Sequence, residues 1–360
     1  MLSLDEREWE VFTLEDIFDI LPGKRLEKRN MIAGDRPFIG ASDSNNGLTA
    51  YCGNVNESLD RNVLGINYNG SVCEAFYHAY ECIFSDDVKR FHLKHHEDNK
   101  LVLLFMGVVI RQQKVKYQYA YKFNEQRMRR QVIMLPVTDD GQPDYQFMED
   151  YVRELMSAKR EQYRRYVEKR LESLGLDVAN SGGYSEALKS RKWAEFFLED
   201  LFTVSAGKRL TNADKIDGSR PFIGATDNNN GITGFVDNKN SSLDWNVLGV
   251  NYNGAPCIGF YHPYECIFTD DVKRLHLKNH EDNPYILLFM KAVILQQRTK
   301  YNYGYKFNEN RMLRQLLSVP VTVDGKPDYD FMEEFGRKMM SNKYNQYLAF
   351  LAMSDTVKAE

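Results

Sequence analysis

At 360 residues the chain has the length of about two domains. A composition with 43% hydrophobic and 27% charged residues excludes a disordered or collagen-like polypeptide. The formal net charge of −4 gives no bulk sign of a nucleic-acid ligand, so any such site must rest on charge that is unevenly distributed.

The amino terminus, Met1-Leu2-Ser3-Leu4-Asp5-Glu6, lacks the basic stretch and apolar run of a secretory signal. A short amphipathic segment follows from Leu14 to Phe18. Apolar runs cut by Gly, Asn and Asp come next, among them Arg36 to Ala41, Asn62 to Tyr68 and Glu81 to Phe84. They read as short strands joined by turns such as Asn46-Gly47 and Asn69-Gly70. A helix is predicted near Leu101 to Gln113. That apolar stretch is too short to span a bilayer, so no membrane partner is expected. A Tyr-rich segment and a second helix over Glu125 to Met134 complete the block, which Pro136 and Gly141-Gln142-Pro143 close. From Asp144 the apolar positions Phe147, Met148, Tyr151, Val152, Leu155, Met156, Tyr163, Val167, Leu171 and Leu174 recur at steps of three and four, the mark of one long amphipathic helix capped by Asp144. Asn180-Ser181-Gly182-Gly183 breaks it.

The whole run then returns. Trp9 matches Trp193, Gly23-Lys24-Arg25-Leu26 matches Gly207-Lys208-Arg209-Leu210, and Arg36-Pro37-Phe38-Ile39-Gly40 matches Arg220-Pro221-Phe222-Ile223-Gly224, always at an offset of 184. Repeats of this length are whole domains, not solenoid units. The predicted fold class is mixed α/β (α+β), with two homologous globular domains, residues 1–143 and 191–327. Helical segments 144–190 and 328–360 follow them, the second capped by Asp328. At 1.5 Å per residue these helices measure roughly 40–45 Å. They either pair along their apolar stripes as a spacer or pack each onto its own head.

Taken together these residues carry a resemblance. Gly-Lys-Arg (23–25, 207–209), Pro-Phe-Ile-Gly-Ala with the following Asn-Asn-Gly (37–47, 221–231), Asn-Tyr-Asn-Gly (67–70, 251–254) and the Pro-Asp-Tyr-x-Phe-Met-Glu start of each long helix occur in the same order twice. In this the chain resembles the specificity subunits of type I restriction–modification systems and of the related type IIB enzymes. The resemblance implies two target-recognition domains, each reading half of a split DNA sequence, and helices that form an antiparallel coiled coil. It also implies docking of methyltransferase subunits, expected to be two, that carry S-adenosylmethionine, with a motor–nuclease subunit as an optional addition. No cofactor is expected in this chain. Because the copies are such close relatives, the half-sites are expected to be similar and inverted.

For phosphate contact the candidates are Lys24, Arg25, Arg36, Lys89, Arg90, Lys122, Arg127 and Arg130, with Lys208, Arg209, Arg220, Lys273, Arg274, Lys306, Arg311 and Arg314 in the second copy. Basic residues also serve simply to solvate a surface. Tyr117, Tyr119 and Tyr121, repeated as Tyr301, Tyr303 and Tyr305, alternate onto one face of an extended segment that either leans on DNA or is a half-buried strand. Base readout suits Asn, Gln and Ser: Ser44, Asn45, Asn46, Asn228, Asn229 and Asn230 in one loop, and Gln112 and Gln296 at a helix end. Asn46 is equally a turn residue. Ser44 against Asn228, Gln118 against Asn302 and Gln126 against Asn310 are where half-site preference has room to diverge.

Catalytic readings fare less well. Cys73-x4-His78-x3-Cys82, repeated at Cys257, His262 and Cys266, with His92 and His276 downstream, is not a common zinc spacing, and the cysteines read as small core residues. With Cys52 they make an odd, sparse set of five, which points to a reducing compartment, the cytoplasm. Asp87-x-Lys89 with Glu81 resembles half of a nuclease motif. Asn67-Tyr68-Asn69-Gly70 lacks the prolines of an adenine-methyltransferase motif, and no phosphate-binding Gly loop is present. A duplicated protein–protein adaptor remains the rival from another class, with a metal-dependent nuclease behind it.

Overall fold

The computed structural model describes residues 2–117, 123–175, 184–301 and 305–356. By its internal contacts the chain divides into two units, Met1–Tyr163 and Arg164–Glu360.

In the first unit, β1 (Trp9–Thr13) leads into a single helical turn, α1 (Leu14–Ile17), whose capping box is closed by Thr13 and Asp16. Then come β2 (Phe18–Pro22), β3 (Arg36–Ile39), β4 (Leu48–Cys52), β5 (Val63–Asn67), β6 (Ala75–His78), β7 (Ile83–Phe84) and β8 (Val88–Leu93). The order β2-β8-β5-β6 makes one antiparallel sheet and β4-β3-β7 a second, in which β3 and β7 run parallel. The helix α2 (Lys100–Arg111) starts at Asn99, whose Oδ1 accepts from Leu101 N at 2.8 Å, and α3 (Glu125–Arg129) starts at Asn124 in the same way. The strand β9 (Val132–Pro136) returns to pair with β1, and the long α4 (Tyr145–Leu174) follows.

The core lies between α2 and the four-stranded sheet. Phe18, Leu64, Ile66, Phe91, Val102, Met106, Ile110 and Phe123 are buried there, each contributing about 1.5–3 kcal/mol. Met148 and Val152, from the first turns of α4, close the same cluster. Asp144 caps that helix as expected, its Oδ1 accepting from Phe147 N at 2.9 Å. One expectation is overturned: the helix predicted over Glu125 to Met134 ends at Arg129. Val132–Pro136 instead alternates exposed and buried positions and hydrogen-bonds along β1, because that edge supplies Ile133 and Leu135 to the core.

The second unit repeats the plan after α5 (Tyr184–Lys189): β10 (Trp193–Phe197), α6 (Leu198–Leu201), β11 (Phe202–Ala206), β12 (Asp217–Ile223), β13 (Ile232–Val236), β14 (Val247–Asn251), β15 (Gly259–His262), β16 (Ile267–Phe268), β17 (Val272–Leu277), α7 (Pro284–Leu295), α8 (Glu309–Leu313), β18 (Leu316–Pro320) and α9 (Tyr329–Thr356). Its sheets are β11-β17-β14-β15, β13-β12-β16 and β10-β18. Asp328 caps α9, and Met332 enters the core.

This unit also takes in the distal part of α4. There Tyr166 meets the ring of Tyr344 edge-on at 6.3 Å, and Arg170, one turn on, lies against Met340, one turn back, so the two segments run antiparallel. Val167 and Leu174 are buried. Thus the opening turns of each long helix pack on their own head, while residues 164–174 pair with α9. Among the described residues no helix is long and apolar enough to cross a membrane.

Candidate nucleic-acid interface

The loop between β3 and β4 is built to hold a left-handed backbone. Asn45, Asn46 and Gly47 have φ of 55°, 53° and 72°, and their counterparts Asn229, Asn230 and Gly231 repeat this. Asn46 Nδ2 donates to Tyr80 Oη at 3.2 Å, as Asn230 does to Tyr264 at 2.9 Å. The left-handed φ supports the turn reading for Asn46, although it and Asn230, like Asn45 and Asn229, stay exposed at the tip. Ser44 touches Ser42, and Asn228 donates to Asp227, both at the surface.

Beneath the tip, Asn67 is buried and donates to Ser42 O at 2.8 Å; Asn251 does the same to Thr226 O. Next to it, Asn69 donates to Asp87. Gly70, at φ 64°, lies where a Cβ would come within 3.0 Å of Ala41 O. The Asn-Tyr-Asn-Gly motif is thus the strut of the loop, a role its composition did not reveal.

Gly23 and Gly207 are required for a steric reason. A Cβ there would lie 1.9 Å from the carbonyl oxygen of Ser85 or Thr269. This close approach turns the following basic pair outward. Lys24 forms an ion pair with Glu57 at 2.5 Å, and Arg25 is exposed near Glu27. In the second unit Ser241 and Thr211 replace those two acids, and Lys208 and Arg209 are exposed.

Six other cations are engaged in ion pairs within the protein; four of them are buried, which corrects the expectation that those four face a ligand, while Arg36 and Arg220 are half-buried. Arg90 is buried, paired with Asp60 at 2.8 Å and donating to Pro22 O, and Arg274 does likewise with Asp244 and Ala206 O. Lys89 and Lys273 are buried between Glu125 or Glu309 and the rings of Tyr68 or Tyr252. Arg36 and Arg220 bridge Glu81 or Glu265 to the carbonyls of Asn54 or Asn238.

Beside these cations lies a further, half-buried cluster. His92 joins Asp98 at 2.6 Å and Asp60 at 3.0 Å, and those two bonds, outweighing burial, raise its pKa to about 9. His276 repeats this with Asp282 and Asp244. Burial works against ionisation of Asp60, but the bonds from His92, the Arg61 N–H and Arg90 together prevail and its pKa falls below the usual value.

The Tyr segment is corrected in part. Tyr117 and Tyr301 are buried, and Tyr301 donates to Gln315 at 2.5 Å, so neither side chain is available to DNA. Tyr119, Tyr121, Lys122, Tyr303, Gln118 and Asn302 lie outside the described residues. Tyr305 is exposed, stacks on Tyr301 with 5.7 Å between centroids, and has the Arg311 guanidinium 4.0 Å from its ring centre. In the first unit Arg127 and Arg130 line a hollow of about 450 Å³ with Lys116, Tyr117, Gln126, Gln131 and Val132, and among the described residues no acid is in its wall. Arg314 and Lys306 are exposed. Gln126 and Asn310, the positions that differ, are both at the surface. Gln112 and Gln296 instead edge apolar grooves containing Trp9 and Phe105, or Trp193 and Phe289.

The cysteine–histidine set is dispersed. Cys73 lies in the main core and Cys82 in a separate cluster with Ile39 and Phe84. Burial pushes both thiols up to about 12 and His78 down to about 4. Asp87, Lys89 and Glu81 have different partners, namely Asn69, Glu125 and Arg36. Among the described residues no group of three or more His, Cys, Asp or Glu side chains is placed to hold a metal.

The type I restriction modification DNA specificity domain matches this chain twice, over residues 6–163 and 190–347. The chain belongs to that family. It is a specificity subunit of a restriction–modification system, with two target-recognition domains. It is 36% identical over 346 residues to the specificity subunit S.BcgI of a type II restriction enzyme from Heyndrickxia coagulans, covering 92% of this chain and 94% of that one. Solved structures similar to it include the S subunit of a type I system from M. genitalium (16% identity, TM-score 0.48, 99% of this chain and 96% of that one). Another is the HsdS subunit from Thermoanaerobacter tengcongensis (10% identity, TM-score 0.34, 96% and 91%). The family matches start and stop at equivalent places, 184 residues apart, which is the offset of the internal repeat.

Proposed function

We infer that each recognition domain, residues 1–143 and 191–327, binds one half of a split, near-palindromic DNA target, and that the helical segments 144–190 and 328–360 set the separation. Exposed and half-exposed cations hold the phosphates: Lys24, Arg25, Arg127 and Arg130 in the first domain, and Lys208, Arg209, Lys306, Arg311 and Arg314 in the second. Asn45, Asn229, Ser44 and Asn228 at the loop tips read base edges. The observation that carries this reading is the hollow walled by Lys116, Arg127 and Arg130, with no acid among its described residues, in a chain whose net charge is negative. It is the uneven charge distribution that a phosphate site requires.

The chain supplies no catalytic centre of its own. It docks two methyltransferase subunits, which bring S-adenosylmethionine, and a restriction or motor subunit where the system has one. The assembly works in the cytoplasm, beside the DNA. The S.BcgI likeness favours the type II arrangement.

The test is titration of duplex DNA at several salt concentrations with the chain in complex with its methyltransferase. The expected result is an affinity that falls linearly on a log–log plot, with a slope near −0.9 for each phosphate neutralised. R127A/R130A is expected to lower that slope by about 2. Salt-independent binding would instead identify a protein adaptor, and metal-dependent cleavage by the pure chain a nuclease.

A further inference from the structure

Just past the end of α2 the first recognition domain buries a carboxylate. Glu74 is 5% exposed, with Lys114 Nζ 2.6 Å and Arg111 Nη2 3.1 Å from its two oxygens. Lys114 and Arg111, both half-exposed, are thereby tethered to an acid at the edge of the protein. The second domain changes all three positions together: Ile258 stands at the place of Glu74, Leu295 at that of Arg111 and Arg298 at that of Lys114. The acid and one cation vanish as a set, and the cation that remains is a guanidinium. Among the described residues no acid forms an ion pair with Arg298. It is exposed and lines a cleft of about 780 Å³ with Asn253, Thr299 and Lys306. Asp227, the one acid in that wall, accepts from Asn228.

The geometry points to Arg298 as a specificity-determining residue of the second domain, one that reads a guanine which the first domain does not read. This rests on the DNA-reading function inferred above. Three physical arguments support it. A free guanidinium presents two parallel N–H groups, the match for guanine O6 and N7 in the major groove, whereas an ammonium is a point charge. The side chain at the position of Glu74 is now that of Ile258, which has no carboxylate to compete with a base. Both domains must grip the same sugar–phosphate backbone, so a cation that serves phosphate is expected in both copies, as Lys116 and Lys300 are. A cation tethered to an acid in one copy and untethered in the other follows instead what differs between half-sites, namely the bases. The target is therefore near-palindromic but not symmetric at this position.

The test uses the chain with its methyltransferase and a library of DNA randomised in both half-sites, read by sequencing the methylated molecules. In the natural protein, one guanine in one half-site has no symmetric equivalent. R298A relaxes the preference at that base by about 5- to 150-fold and leaves the other half-site unchanged. R298K keeps the charge, so affinity and salt slope hold while discrimination is lost. E74I/R111L/K114R carries the guanine preference into the first half-site. A uniform loss of binding by R298A across all sequences, with the salt slope reduced by about one, marks a phosphate contact and overturns the assignment. An unchanged sequence profile overturns it too. Should the natural complex show no sequence preference at all, it is the DNA-reading function itself that fails.

Discussion

At the scale of single residues, the same side-chain types do two kinds of work, and burial separates them. Arg90 and Lys89 looked like ligand contacts in the sequence because Lys-Arg pairs commonly are. Their acids, Asp60 and Glu125, stand 30 and 36 residues away, so no local pattern could announce the pairing. Asn45 and Asn46 are identical neighbours, yet it is Asn46 whose amide donates to Tyr80. A usable signal did exist: His92, Asp60 and Asp98 all recur unchanged as His276, Asp244 and Asp282. That histidine cluster has a consequence for pH. The folded imidazolium has a pKa of about 9 against an ordinary 6.5, so its stabilising contribution is complete below 6.5 and is lost as the pH climbs through about 9. Asp60 and Asp244, lowered below 3.8, work in the opposite sense and lose theirs only in acid. Urea midpoints measured from about pH 6 to about pH 10 are expected to decline in the natural chain and to stay flatter, at a lower level, in H92Q/H276Q. Gly23→Ala tests the other residue-scale constraint. With a carbonyl oxygen 1.9 Å from the new methyl, the backbone must move, at a cost of about 1–3 kcal/mol read by urea denaturation. An unshifted midpoint would contradict the close approach.

At the scale of elements, periodicity served well wherever a segment contacts one uniform layer. The step of three and four gave α2 and both long helices with their Asp caps, because each lays a single apolar face on a sheet or on another helix. It misled over Glu125 to Met134, where one turn of helix and an edge strand share a short apolar stretch and only the pairing with β1 decides between them. Whether the long helices pair or pack on their heads was likewise beyond periodicity, since the stripe is the same in both cases. The contact of α4 with α9 in the second unit can be weighed directly. A double-mutant cycle on Tyr166→Ala and Tyr344→Ala is expected to give a coupling of about 0.5–1.5 kcal/mol in chemical denaturation. A coupling of zero would mean that the two rings are merely adjacent.

At the scale of the whole molecule, the duplication was the most legible feature, since an offset of 184 without a gap needs no structure to be seen. What the repeat concealed was its inequality. Carboxylates that hold Lys24 and Lys114 in the first copy give way to Ser241 and Ile258 in the second. Substitutions of this sort look neutral in an alignment of the two halves until the partners are placed beside each other.

The route of α4 carries a practical corollary. The natural-looking place to cut this gene in two is the Gly-rich stretch near residue 182. A fragment started there would be made without Val167 and Leu174, which are buried in the second unit. Anyone exchanging reading heads between such proteins does better to splice near residue 163, inside a continuous helix, than at the loop that invites the scissors.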